Sequence, residues 1–195
     1  MIVTFLVLAA FLLGSVPVGL VIAKLKGVDI RKTGSGNIGA TNVLRSIGKK
    51  EAGATLLGDI AKGAIPVLLA QSIFGSDLRT GVVGLAAVAG HVFSVFLRFR
   101  GAKGVATSLG VLAVYAPRAG LITIALWLVT FAISRISSLS AIVAFLLLPF
   151  TTWLVESEQE KAIVTLLIAA LIIIRHKDNI KRLVKGEESR VRERS

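Results

Sequence analysis

The sequence contains no cysteine and few charged residues. The absence of Cys excludes disulfide bonds, thiolate nucleophiles and zinc–thiolate sites. Charged residues make up 17% of the 195 residues and hydrophobic residues 54%, whereas an ordinary soluble domain is about 25% charged. The polar clusters described below contain no paired carboxylates and no cluster of metal ligands. The chain therefore has too little polar surface to face water on all sides, and it has the composition of an integral membrane protein.

Long apolar runs divide the chain into candidate membrane spans. Seven such runs cover residues 2–23, 54–74, 80–97, 105–116, 120–134, 139–155 and 162–174. Several are shorter than the roughly 20 residues that a perpendicular crossing needs, and Pro17 with Gly19 predicts a bend in the first. We predict an all-α, polytopic integral membrane protein with seven transmembrane helices. One helical domain would cover residues 1–185, and residues 186–195 would form a short charged tail.

Lysine and arginine are distributed unevenly between the two sides of these spans. Nineteen of the 23 fall on one side and three on the other, and Lys62 lies inside a span. Because cytoplasmic loops carry an excess of Lys and Arg, we expect the N-terminus outside and the C-terminus in the cytoplasm. In a soluble protein the net charge of +12 would suggest nucleic acid. Here the excess of Lys and Arg in cytoplasmic loops explains the positive charge, and no nucleic-acid partner is expected.

The stretch GSGNIGATN has the spacing of a dinucleotide-binding fingerprint. Gly34, Gly36 and Gly39 fit G-x-G-x-x-G, and Asp59 lies roughly where the ribose-binding acid should be. However, a polar segment precedes the motif where a buried strand is required, and Asp59 falls within an apolar span. The Rossmann interpretation is therefore excluded, and a glycine-rich cytoplasmic loop remains.

Several groups in this loop could bind an anion. Glycines let backbone N–H groups approach a phosphate closely, and a guanidinium pairs with phosphate in bidentate geometry. The candidate residues are Gly34, Ser35, Gly36, Asn37, Gly39, Thr41, Asn42 and Arg45. The alternative is a flexible polar linker.

A second cluster, RFRGAKGVATSLG, lies on the same side. Its basic residues precede a helix start, where unpaired N–H groups can face an anion. The candidate phosphate-binding residues are Arg100, Gly101, Lys103, Gly104 and Thr107. The alternative is that these basic residues only reflect the excess of positive charge in cytoplasmic loops and bind no ligand.

The third cluster is RHKDNIKRL, where the last span ends. His176 and Asn179 are three residues apart and share a face if this segment is helical. An imidazole can move a proton, and an amide can hold a carbonyl or hydroxyl group. The alternative is a basic tail that binds anionic lipid.

Other polar residues within or beside the spans have structural interpretations. Asp59 and Lys62 are three residues apart in one span, and we expect an internal ion pair instead of a proton relay. His91 is expected to be a hydrogen-bonded structural residue. Ser138 and its neighbouring serines face the cytoplasm and could cap the sixth helix.

All three clusters reach the same membrane surface. This arrangement suits a small phosphorylated substrate from water and an apolar one from the bilayer. A transporter for a phosphorylated solute is the competing class, and it should place functional polar groups at the bilayer midplane and on both faces. A lipid-binding structural protein would leave the glycine-rich loop unexplained.

The segments GSGNIGATNVLR, GHVFSVFLRFRGAKGVAT and RHKDNIKRL, together with GDIAKG, resemble the bacterial acyl-phosphate:glycerol-3-phosphate acyltransferase (PlsY) family along nearly the whole chain. The resemblance implies transfer of a fatty acyl group from acyl-phosphate to the 1-hydroxyl of glycerol 3-phosphate in the bacterial inner membrane. It implies that Ser35, Arg45, His176 and Asn179 are catalytic and that the loop from Arg100 binds substrate phosphate.

The same resemblance implies membrane lipids as partners and the enzyme that makes acyl-phosphate as a further candidate, with no cofactor and no metal. The His-x₄-Asp motif of thioester-dependent acyltransferases is absent. We therefore hypothesise that a phosphate oxygen of a substrate accepts the hydroxyl proton, while protein groups position the substrates and stabilise charge.

Overall fold

The computed structural model describes residues 1–75 and 77–191, and this part of the chain is helical, without strands. In chain order its α-helices are α1 (Ile2–Ser15), α2 (Val18–Leu25), α3 (Ala40–Ser46), α4 (Lys49–Phe74), α5 (Leu78–Val92), α6 (Val105–Tyr115), α7 (Pro117–Ser134), α8 (Ser137–Val155), α9 (Gln159–Arg175) and α10 (Lys177–Val184). A 3₁₀ turn, Val95–Leu97, follows α5.

Five segments of the described chain are long and apolar enough to cross a membrane: Ile2–Leu25, Lys49–Phe74, Leu78–Leu97, Pro117–Ser134 and Ser137–Val155. The remaining predicted spans correspond to α6, with 11 residues, and α9, with 17. At 1.5 Å per residue these helices are short for a full crossing. The all-helical, multi-pass prediction is confirmed, while seven crossings and the orientation of the termini stay predictions.

The first span is broken in its second half. Helix α1 ends at Ser15, and α2 begins at Val18. Pro17 lies between them and has no N–H to continue the helical ladder. The Val16 carbonyl accepts a 2.7 Å hydrogen bond from Nζ of Lys62 and a 3.1 Å hydrogen bond from the backbone N–H of Val18. The predicted bend is thus an interruption between two helices.

A buried polar cluster lies beside this break. Nζ of Lys62 is 2.9 Å from Oδ1 of Asp59, and both side chains are almost fully buried. Nδ1 of His91 is 3.7 Å from the same carboxylate oxygen and 2.9 Å from Oγ1 of Thr107. The cluster therefore joins α4, α5 and α6 to the break, and the packing around it leaves no room for a water molecule.

Three clusters of buried apolar residues pack the described helices together, and a small one joins α1, α4 and α5. The largest one includes Val88, Leu112, Phe145 and Ile168 and lies among helices α4 to α9. A second cluster packs residues of the loop between α2 and α3 against the loop before α6; its members are Ala23, Ile30, Ile38, Val43, Ala52, Leu97 and Ala102. This second cluster brings the two glycine-bearing loops together. Of the predicted tail, residues 192–195 lie outside the described residues.

Candidate functional site

The first loop is organised around the side chain of Asn42, which is buried. Its Oδ1 accepts a 2.9 Å hydrogen bond from the backbone N–H of Ser35. Its Nδ2 lies 3.1, 3.0 and 2.7 Å from the carbonyl oxygens of Ile30, Thr33 and Asn37. The amide is thus used within the loop, so Asn42 supports the site by holding the loop in shape.

The glycines allow the loop to wrap around that amide. Gly34 and Gly36 have φ values of 59° and 69°, a left-handed backbone that glycine adopts without steric cost. A Cβ atom on Gly34 would also collide with Oδ1 of Asn42. Ser35, between the two glycines, is exposed, and its hydroxyl makes no hydrogen bond within residues 1–75 and 77–191. It is therefore available to a ligand.

Helix α3 carries Arg45 and Thr41 from this loop towards the C-terminal segment. A guanidinium nitrogen of Arg45 donates a 3.0 Å hydrogen bond to the Ser189 carbonyl. The Thr41 and Ser137 hydroxyls are 3.1 Å apart. The first loop thus contacts both the start of α8 and the chain that follows α10.

The second and third sequence clusters meet directly. Nζ of Lys103 donates a 2.6 Å hydrogen bond to Oδ1 of Asn179. The Arg175 guanidinium donates a 3.2 Å hydrogen bond to the Gly101 carbonyl. Gly104 precedes α6 with a φ of 87°, so the loop turns sharply here. These contacts fix Lys103 between the loop before α6 and helix α10.

The ammonium group of Lys103 has an unusual proton affinity. Burial is the main cause that lowers its pKa, and the charges of Arg182 and Arg45 act in the same direction. The carboxylate of Glu188 opposes them, and the resulting pKa is about 8. Lys103 is consequently a cation at neutral pH that loses its charge in mildly alkaline solution.

Glu188 belongs to this group, although sequence reasoning did not identify it. Its Oε1 accepts 2.6 Å hydrogen bonds from Nδ2 of Asn179 and Oγ of Ser138. Its Oε2 accepts one of the same length from Nε of Arg182. Burial by itself raises the pKa of Glu188, but these hydrogen bonds outweigh it and leave the pKa below its usual value.

His176 lies where α9 passes into α10, with 2% of its surface exposed. Its Nδ1 is 2.8 Å from the Ile172 carbonyl oxygen. Because a carbonyl only accepts, Nδ1 carries the proton, and Nε2 is the free acceptor of the neutral ring. Burial, followed by the positive charge of Lys103, lowers the His176 pKa to about 4. The imidazole is therefore neutral at physiological pH and only weakly basic.

Two predicted phosphate-binding residues lie elsewhere. Arg100 lines a separate cleft with Arg31 and Arg98. Thr107 is fully buried and bonds to His91 inside the protein. Direct contact between either residue and a substrate stays a prediction.

The residues brought together form a cationic, hydrogen-bonding site at one end of the helices. Lys103, Arg45 and Arg182 supply positive charge around the amide of Asn179. In the described ranges, no group of three His, Cys, Asp or Glu residues could hold a metal ion. The arrangement is therefore suited to phosphate binding and to stabilising negative charge.

Comparison with known proteins identifies relatives over the whole chain. A profile of the family described as glycerol-3-phosphate acyltransferase matches residues 4–186. The glycerol-3-phosphate acyltransferase of Trichlorobacter lovleyi is 47% identical over 186 residues, which cover 95% of this chain and 96% of the relative.

Two solved structures have the same fold. One is a crystal structure of PlsY (YgiH), an integral membrane glycerol 3-phosphate acyltransferase, in its glycerol 3-phosphate form. It matches this chain with a TM-score of 0.94 and 43% sequence identity, and the match covers 97% of this chain and 96% of the PlsY chain. The lysophosphatidic acid form of PlsY has a TM-score of 0.92 at 43% identity, with coverage of 97% and 95%.

Proposed function

The chain belongs to the glycerol-3-phosphate acyltransferase family, and we propose that it transfers a fatty acyl group from acyl-phosphate to the 1-hydroxyl of glycerol 3-phosphate. The products are lysophosphatidic acid and inorganic phosphate. The relatives with glycerol 3-phosphate and lysophosphatidic acid forms support this choice of substrate and product. The observation that carries the proposal is the contact of Lys103 with Asn179, which unites two sequence clusters in one cationic site.

Phosphate binding is assigned to the half-buried cations. Arg45 and Lys103 are both partly shielded from water, so their attraction to a phosphate is screened less than that of surface charges. The exposed Ser35 hydroxyl and the backbone N–H groups of its loop add hydrogen-bond donors. Asn179 accepts a hydrogen bond from Lys103 and thereby holds this cation in place.

The transfer itself needs no covalent enzyme intermediate. The 1-hydroxyl oxygen attacks the acyl carbonyl carbon, the carbon–oxygen bond to phosphate breaks, and its electron pair leaves with the phosphate. The hydroxyl proton passes to a phosphate oxygen of a substrate. A phosphate monoester has a second pKa of about 6, whereas the His176 pKa is about 4. The substrate oxygen is thus the stronger base.

We place this reaction at the cytoplasmic face of the bacterial inner membrane. Support comes from the charge bias, with 19 of 23 Lys and Arg residues on one side of the predicted spans. At that surface the acyl chain of the donor stays among the lipids while its phosphate reaches Lys103. The enzyme that makes acyl-phosphate is accordingly proposed as a partner at the same surface.

Transport of a phosphorylated solute is a weaker explanation. The buried polar cluster of Asp59, Lys62 and His91 is the part of the described chain that resembles an intramembrane pathway, but its groups bond to one another. The surrounding packing leaves no room for water there. These mutual contacts favour a structural role for the cluster.

The proposal is tested by product formation in a defined bilayer. Purified protein in liposomes, supplied with acyl-phosphate and glycerol 3-phosphate, should release lysophosphatidic acid and phosphate in equal amounts. Lys103→Met should reduce the rate about 30- to 150-fold, since a charge-assisted contact contributes about 2–3 kcal/mol. Lys24→Met removes an exposed lysine elsewhere and should leave the rate unchanged. Absence of lysophosphatidic acid with the wild-type protein would refute the proposed function.

A further inference from the structure

A second cleft lies apart from the group around Lys103. It has a volume of about 400 Å³ and is lined by Arg31, Phe96, Leu97, Arg98 and Arg100. Buried Leu97 belongs to the apolar cluster that joins the two loops, and this packing places Arg31 next to the arginines that follow the 3₁₀ turn. The size is within the range of ligand sites, which is about 300–1,000 Å³.

No carboxylate of the described residues pairs with the three guanidinium groups of this cleft. Each arginine is exposed, and within residues 1–75 and 77–191 their side chains make no ion pair or hydrogen bond. The nearby carboxylate of Asp29 is engaged 3.6 Å from Lys32 and accepts a 3.3 Å hydrogen bond from the backbone N–H of Arg31. Three like charges lining one cleft repel one another, and an anion held between them removes that cost.

The backbone that presents two of these side chains is strained. Arg98 and Phe99 are consecutive and have φ values of 52° and 61°, a region that L-residues other than Gly, Asn and Asp seldom occupy. Hydrogen bonds from Phe99 N to Ser94 O and from Arg100 N to Leu97 O, 2.8 and 3.0 Å long, hold this conformation. Such outliers cluster at ligand-binding sites.

Exposed phenyl groups lie in the same segment of the chain as Arg98 and Arg100, and that of Phe96 lines the cleft. Phe96 and Phe99 are each 61% exposed, and Phe93 is 41% exposed. Free phosphate or glycerol 3-phosphate would use the arginines but not the phenyl groups. A molecule with both a phosphate and acyl chains would use both, which is the composition of a membrane phospholipid.

We propose that this cleft binds the phosphate group of an anionic phospholipid, whose acyl chains lie along the exposed phenyl groups. The guanidinium groups of Arg31, Arg98 and Arg100 pair with the phosphate oxygens. The site is distinct from the group around Lys103, and it does not depend on the function proposed above.

The test measures lipid binding by native mass spectrometry of the full chain, titrated with phosphatidylglycerol or with zwitterionic phosphatidylcholine. The wild type should bind phosphatidylglycerol more tightly than phosphatidylcholine. The double variant Arg31→Gln with Arg98→Gln should bind phosphatidylglycerol about 30-fold more weakly, because it loses two guanidinium contacts. Arg135→Gln is the matched control. Arg135 is also exposed and also has a left-handed backbone conformation, with a φ of 57°, but it lies outside the cleft.

Three results would overturn the proposal. An equal loss in Arg135→Gln would mean that only diffuse surface charge attracts the lipid. Equal binding of the two lipids by the wild type would show that no phosphate site selects negative charge. Displacement of phosphatidylglycerol by millimolar inorganic phosphate or glycerol 3-phosphate would assign the cleft to soluble phosphates. The double variant should retain wild-type acyl transfer in lipid-free detergent, which verifies that it is folded.

Discussion

Lys103 donates its hydrogen bond to Oδ1 of Asn179, while Nδ2 of the same amide donates to Glu188, and each contact is 2.6 Å long. Asn179 thereby joins the loop before α6 to the chain that follows α10. The amide orientation is fixed, since its oxygen faces a cation and its nitrogen a carboxylate. The charge of Lys103 and the presence of Glu188 should therefore both control the activity.

The depressed pKa of Lys103 predicts an alkaline limit to activity. The group is protonated below its pKa of about 8 and loses its charge as the pH rises through that value. If the charge binds phosphate, kcat/KM for glycerol 3-phosphate should be level just below pH 8 and fall about tenfold per unit well above it. The measurement is kcat/KM from pH 6 to 10.

Lys103→Arg is the control for that profile. Arginine keeps its charge throughout this pH range, so the variant should retain a fraction of the activity but lose the alkaline limb near pH 8. If the limb persists in Lys103→Arg, another group titrates and the role of Lys103 is wrongly assigned.

His176→Gln should reduce activity without changing the shape of the pH profile between pH 6 and 9. With a pKa of about 4 the imidazole is already neutral across this range, and glutamine preserves a hydrogen-bonding group. A limb near pH 6 from the substrate phosphate should remain in both proteins. Disappearance of a limb near pH 6–7 in the variant alone, with substrate binding intact, would make His176 the general base.

Glu188→Gln should lower the acyl-transfer rate because the carboxylate positions Asn179, Ser138 and Arg182. Hydrogen bonds to a charged group contribute about 1.5–3 kcal/mol, which corresponds to about 12- to 150-fold. Glu187→Gln, at the exposed neighbouring position, should have little effect. A faster Glu188→Gln enzyme with a lower KM for glycerol 3-phosphate would instead show that the carboxylate competes with the substrate.

Gly34→Ala should destabilise the first loop and reduce activity. An L-residue at its φ of 59° costs about 1–2 kcal/mol, and its Cβ atom would displace Asn42. Gly53→Ala is the matched control, since a Cβ atom there meets nothing within 4 Å. The measurements are the thermal midpoint and the initial rate, and indistinguishable values for the two variants would contradict this role of the loop.

The helices were largely predictable because a bilayer requires long apolar segments. Each of the seven predicted spans corresponds to a helix, or to two helices in the case of residues 2–23. The short helices α3 and α10 were not predicted as elements, since seven or eight residues carry little periodic signal. The break at Pro17 was predicted only as a bend, because a proline in an apolar run indicates a distortion of the helix but not its extent.

The candidate site was only partly predictable. Motif spacing led to Lys103 and Asn179, which the structure joins. Glu188 was not identified because one acid next to Glu187 in a basic tail has no pattern of its own. Arg100 was grouped with Lys103 by proximity in sequence; it lines another cleft beside the left-handed turn at Arg98 and Phe99, and its contact with a substrate stays a prediction.

A comparison of two acyl donors tests the central claim most directly. Purified protein in one bilayer preparation receives glycerol 3-phosphate with either palmitoyl phosphate or palmitoyl-CoA, and the initial rate of lysophosphatidic acid formation is measured for each. Because the site provides no strong general base and its cations are suited to a departing phosphate, we predict a preference for palmitoyl phosphate of at least about 100-fold. Comparable rates with the two donors would contradict the account.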